Sequence, residues 1–171
     1  SSLIPHPSSL SAGPWEVAET AAKGQVNLKP KAVIKAGKAK KGRLYLKDFI
    51  AEDIEAILAL GSVEKVSVDI EELPGRPVSP KLAGSVGSTV PVRITYIISE
   101  KPLVRTITVT GAKGMSKSAV KEEMTLKEKD FFDELKIRED LIKITDKYRE
   151  KGYIDARADY EVRFDTAASL A

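Results

Sequence analysis

Apolar positions along this chain follow two rhythms, and the order of those rhythms repeats. Val90, Val92, Ile94, Tyr96 and Ile98 fall on one face of a period-two segment, the spacing of a β-strand. Val66, Val68 and Ile70 alternate with Ser67, Asp69 and Glu71, which predicts a half-buried strand. Before it, Ile50, Ile54, Ile57 and Leu58 make one helical stripe, closed by Gly61. Asn27 is read as the start of an earlier helix, with Pro30 tolerated in its first turn. Trp15 to Ala22 stands where a first strand should be, although it is rich in Ala and Glu. The predicted order is strand, helix, helix, strand, strand, with a Pro- and Gly-rich loop over Pro74 to Ser88.

The same order returns 87 residues later. Val17 to Gly24 aligns with Val104 to Gly111, and Ala51-Glu-Asp53-Ile54 falls on Arg138-Glu-Asp140-Leu141 without a gap. Four further residues, about one helical turn, bring Gly61 onto Gly152. In this second copy Arg105, Ile107 and Val109 alternate with Thr106, Thr108 and Thr110 and stop at Gly111, a β-branched strand. Ser116 is a candidate cap for a short helix carrying Ala119, Val120 and Met124. Ile137, Leu141, Ile144 and Tyr148 form the next helical stripe. Ala156, Ala158, Tyr160, Val162 and Phe164 then share a face opposite Arg157, Asp159, Glu161 and Arg163, the cleanest strand pattern in the chain. A counterpart of Val90 to Ile98 would begin at or beyond position 177, past Ala171. The second copy is therefore expected to lack its last strand, with Ala167 to Ala171 starting a partial one or another molecule donating it.

Composition narrows the chemistry. The chain has 171 residues, 42% hydrophobic and 31% charged, with a net charge of +3, so the length allows one ordinary domain or two small ones, either able to bury a core. Zero cysteines exclude a disulfide scaffold, a thiolate zinc site and a Cys nucleophile. Apolar runs are too short for a membrane-spanning helix, and Ser1 to Gly13 has no signal-peptide pattern. The charge is unevenly placed: Lys23 to Lys47 holds nine basic residues and no acid, and Asp48 to Glu72 holds eight acids and only Lys65. Such runs are usually solvated faces; the sharper reading of the basic one is a phosphate-binding patch of Lys35, Lys38, Lys40, Lys41, Arg43 and Lys47. The only histidine, His6, lies in a Pro/Ser-rich tail. The carboxylate pairs Glu52/Glu55 and Asp130/Asp133 sit in charged surface stretches. Gly84-Ser-Val-Gly87 and Gly111-Ala-Lys-Gly114 lack the Gly-Lys-Ser/Thr ending of a phosphate loop. No catalytic constellation and no metal or cofactor site is read here, so the expectation is a non-enzyme.

The repeated βααββ unit resembles the POTRA domain (polypeptide-transport-associated). The resemblance rests on the glycine after the first strand, the helix closing on Tyr148-Arg-Glu-Lys-Gly152-Tyr153, and a last strand ending Ser99-Glu100-Lys101-Pro102. It covers roughly Trp15 to Asp165. Ser62 and Val63 depart from it, standing where an aromatic commonly follows the glycine. The resemblance implies an α+β fold of two tandem modules, each a three-stranded sheet on two helices: residues 1–14 a disordered tail or linker, 15–101 the first module and 102–171 the second, incomplete one. It implies structural turns at Gly24, Gly61, Gly111 and Gly152.

It further implies the periplasmic arm of a BamA-type outer-membrane assembly protein or a related two-partner secretion or organelle import channel. The partners would be unfolded outer-membrane polypeptides, accessory assembly proteins, the protein's own C-terminal membrane barrel and, by strand exchange, other copies; nucleic acid is not expected. In each module the strand before the last is the candidate open edge for capturing extended polypeptide by β-augmentation. That nominates Val66, Ser67, Val68 and Asp69 in the first copy and Ala158, Asp159, Tyr160 and Glu161 in the second. The alternative is a basic α/β nucleic-acid-binding domain using the Lys35–Lys47 block, whose only interleaved aromatic is Tyr45.

Overall fold

The computed structural model describes residues 10–79 and 89–165 and divides into two compact units, Ser1–Lys101 and Pro102–Ala171. The tail before Leu10, His6, the Gly84/Gly87 pair and Ala167 to Ala171 lie outside the described residues.

In the first unit the elements are β1 (Trp15–Lys23), α1 (Pro30–Ala36), β2 (Leu44–Tyr45), α2 (Phe49–Leu58), β3 (Val63–Glu72) and β4 (Val90–Glu100). The sheet order is β2-β1-β4-β3, with β1 and β4 parallel and the other pairs antiparallel. The sheet therefore has four strands where three were expected. The extra one is the end of the basic loop: Leu44 and Tyr45 pair with Glu16 and Trp15, and the Val17 N–H donates to the Arg43 carbonyl at 2.9 Å. Two residues are too few for any periodicity to register.

β1 forms despite its Ala and Glu content because it is paired on both sides, and pairing outweighs propensity. Trp15 and Val17 enter the core, while Glu19 faces Arg93 across the sheet. Along β4, Val92, Ile94, Tyr96 and Ile98 turn inward to meet Val33 and Ile57 of the helices. Gly24, at φ +87°, ends β1 where a β-carbon would stand 2.0 Å from the Ile98 carbonyl oxygen, so only glycine fits.

α1 starts at Pro30, three residues later than the sequence reading. The reason lies at the far end of β4. The Glu100 carboxylate accepts the backbone N–H groups of Val26 (2.8 Å), Asn27 (2.9 Å) and Leu28 (2.7 Å), and the Asn27 side-chain amide at 3.0 Å. Those residues are held in a loop, and the proline then takes the first helical turn, where no N–H is needed.

One buried carboxylate ties the helices to the sheet. Asp53 on α2 is fully buried and accepts the Lys38 N–H at 2.7 Å, the Tyr45 hydroxyl at 2.7 Å and the Tyr96 hydroxyl at 2.5 Å. Burial, then the bond to Asp53, pushes both phenols well above their ordinary range, so they remain donors. The Tyr96 oxygen in turn accepts the Ala39 N–H at 3.3 Å. A single side chain thus joins α2, the α1–α2 connection, β2 and β4.

The second unit contains α3 (Lys117–Glu123) and α4 (Glu134–Glu150). Ser116 caps α3 as expected, its hydroxyl accepting the Ala119 N–H at 3.1 Å. Val120, Met124, Ile137 and Ile144 form its small core, with Ile107, Val109 and Tyr160 packed against them. The predicted strands at Arg105–Thr110 and Ala156–Phe164 are not strands; among the described residues the unit has only the isolated Leu103–Phe131 bridge. This corrects the expected sheet. In the first unit β1 and β3 never touch each other and both pair with β4, and no equivalent of β4 lies among the described residues of the second. Side-chain alternation does not make a strand without a backbone partner.

The buried aspartate recurs. Asp140 on α4 is 1% exposed and accepts the Thr125 N–H and hydroxyl, both at 2.7 Å, and the Leu126 N–H at 2.9 Å. Each aspartate holds a backbone N–H 15 residues upstream, in the connection from the preceding helix. Burial raises the Asp140 pKa, but the Leu126 and Thr125 donors, with Lys143 nearby, outweigh it and hold the carboxyl below its ordinary value.

Replacing Asp53 with alanine strands three donors, two of them buried hydroxyls, and is expected to destabilise the first unit by about 3 kcal/mol or more, against roughly 1 kcal/mol for Tyr96→Phe. Urea unfolding followed by resonances of each unit checks this; a loss below about 1 kcal/mol for Asp53→Ala would show that the clamp matters little. Because the folded pKa of Asp140 is depressed, its stabilisation is complete above the ordinary carboxylate range and disappears as pH falls through the folded value. Asp140→Asn should flatten the acid side of the second unit's stability profile. Hydrogen exchange at Thr108, Val109 and Val162 should be orders of magnitude faster than at Ile94 and Tyr96.

Candidate functional site

β3 is the outermost strand of the first unit's sheet, so the nominated residues Val66, Ser67, Val68 and Asp69 lie along an edge. Its register with β4 sets what each face offers. Val66, Val68 and Ile70 stand opposite Ile98, Tyr96 and Ile94 on the helix side and are half-buried. Ser67, Asp69 and Glu71 stand opposite Ile97, Thr95 and Arg93 on the other face and are exposed. Among the described residues β3 pairs with β4 alone, leaving its outer backbone edge open. Beside it lies a groove of about 580 Å³ lined by Leu58 of α2, Glu64, Val66 and Ser67 of β3, and Ile97 and Ile98 of β4.

The charge blocks acquire places. α2 packs beside β3, so the acidic run Asp48 to Glu72 covers that edge of the sheet. Several of its acids are occupied. Asp53 is the buried clamp, Glu52 pairs with Lys38, Glu71 meets Arg93 at 2.8 Å, and Glu72 accepts the Ser11 N–H at 2.7 Å. Asp48, Glu55, Glu64 and Asp69 have no ion-pair partner among the described residues. On the outer face a charge ladder runs from Arg76 to Glu19 (2.6 Å), on to Arg93 (2.7 Å) and then to Glu71. Arg93 and then Arg76 hold the Glu19 carboxyl below its ordinary range.

The basic block flanks β2, at the opposite end of the sheet. Lys35, Lys38, Lys40, Lys41, Arg43 and Lys47 are all exposed, yet two have local work. Lys38 pairs with Glu52 and stands 4.6 Å from the centre of the Phe49 ring. The Lys40 ammonium donates to the carbonyls of Ile34 (3.2 Å) and Lys35 (3.3 Å) at the end of α1. Lys35, Lys41, Arg43 and Lys47 remain as outward charges.

In the second unit Ala158, Asp159 and Glu161 are exposed, while Tyr160 is half-buried and its hydroxyl donates to Glu134 at 3.2 Å. Gly24, Gly61, Gly111 and Gly152 all adopt positive φ. The carboxylate pair Asp130/Asp133 has structural work: Asp133 caps α4 by accepting the Leu135 N–H at 3.0 Å, and Asp130 accepts the Lys127 N–H at 2.9 Å. Among the described residues no group of acids or histidine could hold a metal ion, and no helix is long and apolar enough to cross a membrane. Sequence reading missed the roles of Asp53, Asp140 and Glu100. The repeat alignment carried a usable signal, since it sets Asp53 on Asp140 within helices otherwise read for their apolar stripes.

Residues 102–169 match the POTRA family model, described as a surface antigen variable number repeat. No curated protein matches the chain. Among solved structures it is similar to the N-terminal domain of Omp85 from the cyanobacterium Thermosynechococcus elongatus, at 20% identity and a TM-score of 0.57 over 84% of this chain. The chain spans 55% of the length of that structure. It is also similar to POTRA1-2 of the periplasmic domain of Omp85 from Anabaena, at 18% identity and a TM-score of 0.50, with 91% of each chain covered. The POTRA match thus falls on the second unit, and over most of its length the chain shares the fold of these solved POTRA structures.

Proposed function

We propose that this chain is a polypeptide-binding and scaffold region in the periplasmic arm of an outer-membrane protein assembly or translocation factor, and that it captures extended segments on the edge of β3. The partners in this reading are nascent outer-membrane polypeptides and accessory assembly proteins, and no bond is made or broken. The assignment to such an arm is supported by the POTRA match and by the likeness to periplasmic regions of Omp85 proteins.

The observation that carries the binding mode is the position of β3. It is a ten-residue strand at the end of the sheet order, open on one side among the described residues and bordered by an apolar-walled groove. Backbone hydrogen bonds to an added strand give sequence-tolerant affinity, which suits many unrelated unfolded clients. The half-buried row of Val66, Val68 and Ile70 lets alternate guest residues leave water beside apolar surface. Ala158 to Glu161 in the second unit is proposed as a second capture segment, since its backbone lacks a sheet partner among the described residues.

Titrating the full 171-residue chain with a peptide from an unfolded barrel protein is expected to shift the amides of Val66 to Ile70. N-methylating alternate peptide nitrogens should abolish the shifts, because the affinity runs through the backbone. Shifts confined to Lys38 to Arg43 would instead favour phosphate binding, and binding indifferent to N-methylation would overturn augmentation.

A further inference from the structure

Resting on that edge reading, we infer that the β3 edge selects its guest by charge: it takes an amphipathic extended segment whose outward row carries a basic residue beside Asp69. The pleat sets the geometry. Whichever way a guest strand runs, its residue opposite Asp69 shares the Asp69 face, and its neighbours share the face of Val68 and Ile70. The inward row therefore meets Val66, Val68, Ile70 and Leu58, and the outward row meets Lys65, Ser67, Asp69 and Glu71.

Within the outward row the residues differ in what they have left to offer. Glu71 already receives Arg93, whereas Asp69 is exposed and without an ion-pair partner among the described residues. Glu64 beside the groove and Glu55 on α2 add to the negative field, and Lys65 is the single cation of this run. A guest cation opposite Asp69 gains a cross-strand pair, and one opposite Lys65 is penalised, so charge selects register as well as composition. The competing explanation for the same acids is that they keep the edge from pairing at all. The two differ in sign: removing a protective charge strengthens binding of every strand, whereas removing a selective one weakens basic guests alone.

The test uses the full chain and three ten-residue peptides sharing an apolar row, with Lys, Thr or Glu at the alternate positions. Binding is read from the amides of Val66 to Ile70 at low and at moderate salt. The Lys peptide is expected to bind about fivefold more tightly than the Thr peptide and the Glu peptide more weakly than either, with the spread shrinking as salt rises. Asp69→Asn should reduce the Lys preference about two- to threefold and leave the Thr peptide unchanged. Equal affinities, with shifts at Val66 to Ile70, would overturn the selectivity and leave the edge reading standing. Absence of shifts there with all three peptides would overturn both. Tighter binding of all three to Asp69→Asn would assign the acids a protective role and overturn the inference.

Discussion

The first unit depends on one backbone constraint: β4 must lie between β1 and β3. β1 and β3 do not pair with each other, so every ladder among the three long strands runs through β4. That placement turns the alternation of Val92, Ile94, Tyr96 and Ile98 into a core and carries Glu100 to the loop that precedes α1. It also determines where the sheet ends, and hence that β3 presents an open edge. The second unit is the natural control. Its segments have equally good alternation and pack Ile107, Val109 and Tyr160 onto the helices, yet they form no strand among the described residues.

The buried aspartates solve a related problem in both units. The connection between two packed helices leaves backbone N–H groups that have no helical partner and need an acceptor. Asp53 and Asp140 supply acceptors from the following helix at the same spacing. The first unit extends the device, using Tyr45 and Tyr96 to link the same carboxylate to the sheet. The second uses Thr125 and Leu126 instead and makes no such link. A shared clamp with different second partners fits a repeat kept in pattern more than in identity.

Charge was legible as sequence blocks but became meaningful only with the topology. The basic run ends beside β2 and the acidic run covers α2 and β3, so opposite ends of one sheet carry opposite signs. Local pairing then removes part of each block. Lys38 and Glu52 neutralise each other, and Lys40 closes α1. What survives on the outward row of the β3 edge is one unpaired acid, Asp69, beside apolar surface, a different object from the solvated run that the sequence presents.

The order and type of the five longer elements of the first unit, the helices of the second, the repeat and the turn glycines are legible in the residue order alone. These follow from local sterics and from periods of two and 3.6 that a chain carries within itself. Tertiary structure alone decided that Leu44 and Tyr45 become a strand, that Asn27 stays outside α1, and that Asp53 is a clamp and no surface acid. It also decided that the best-patterned strand in the chain, Ala156 to Phe164, has no sheet to join among the described residues. Each of these depends on a partner distant in sequence, and alternation records which side a residue faces without recording who stands beside it.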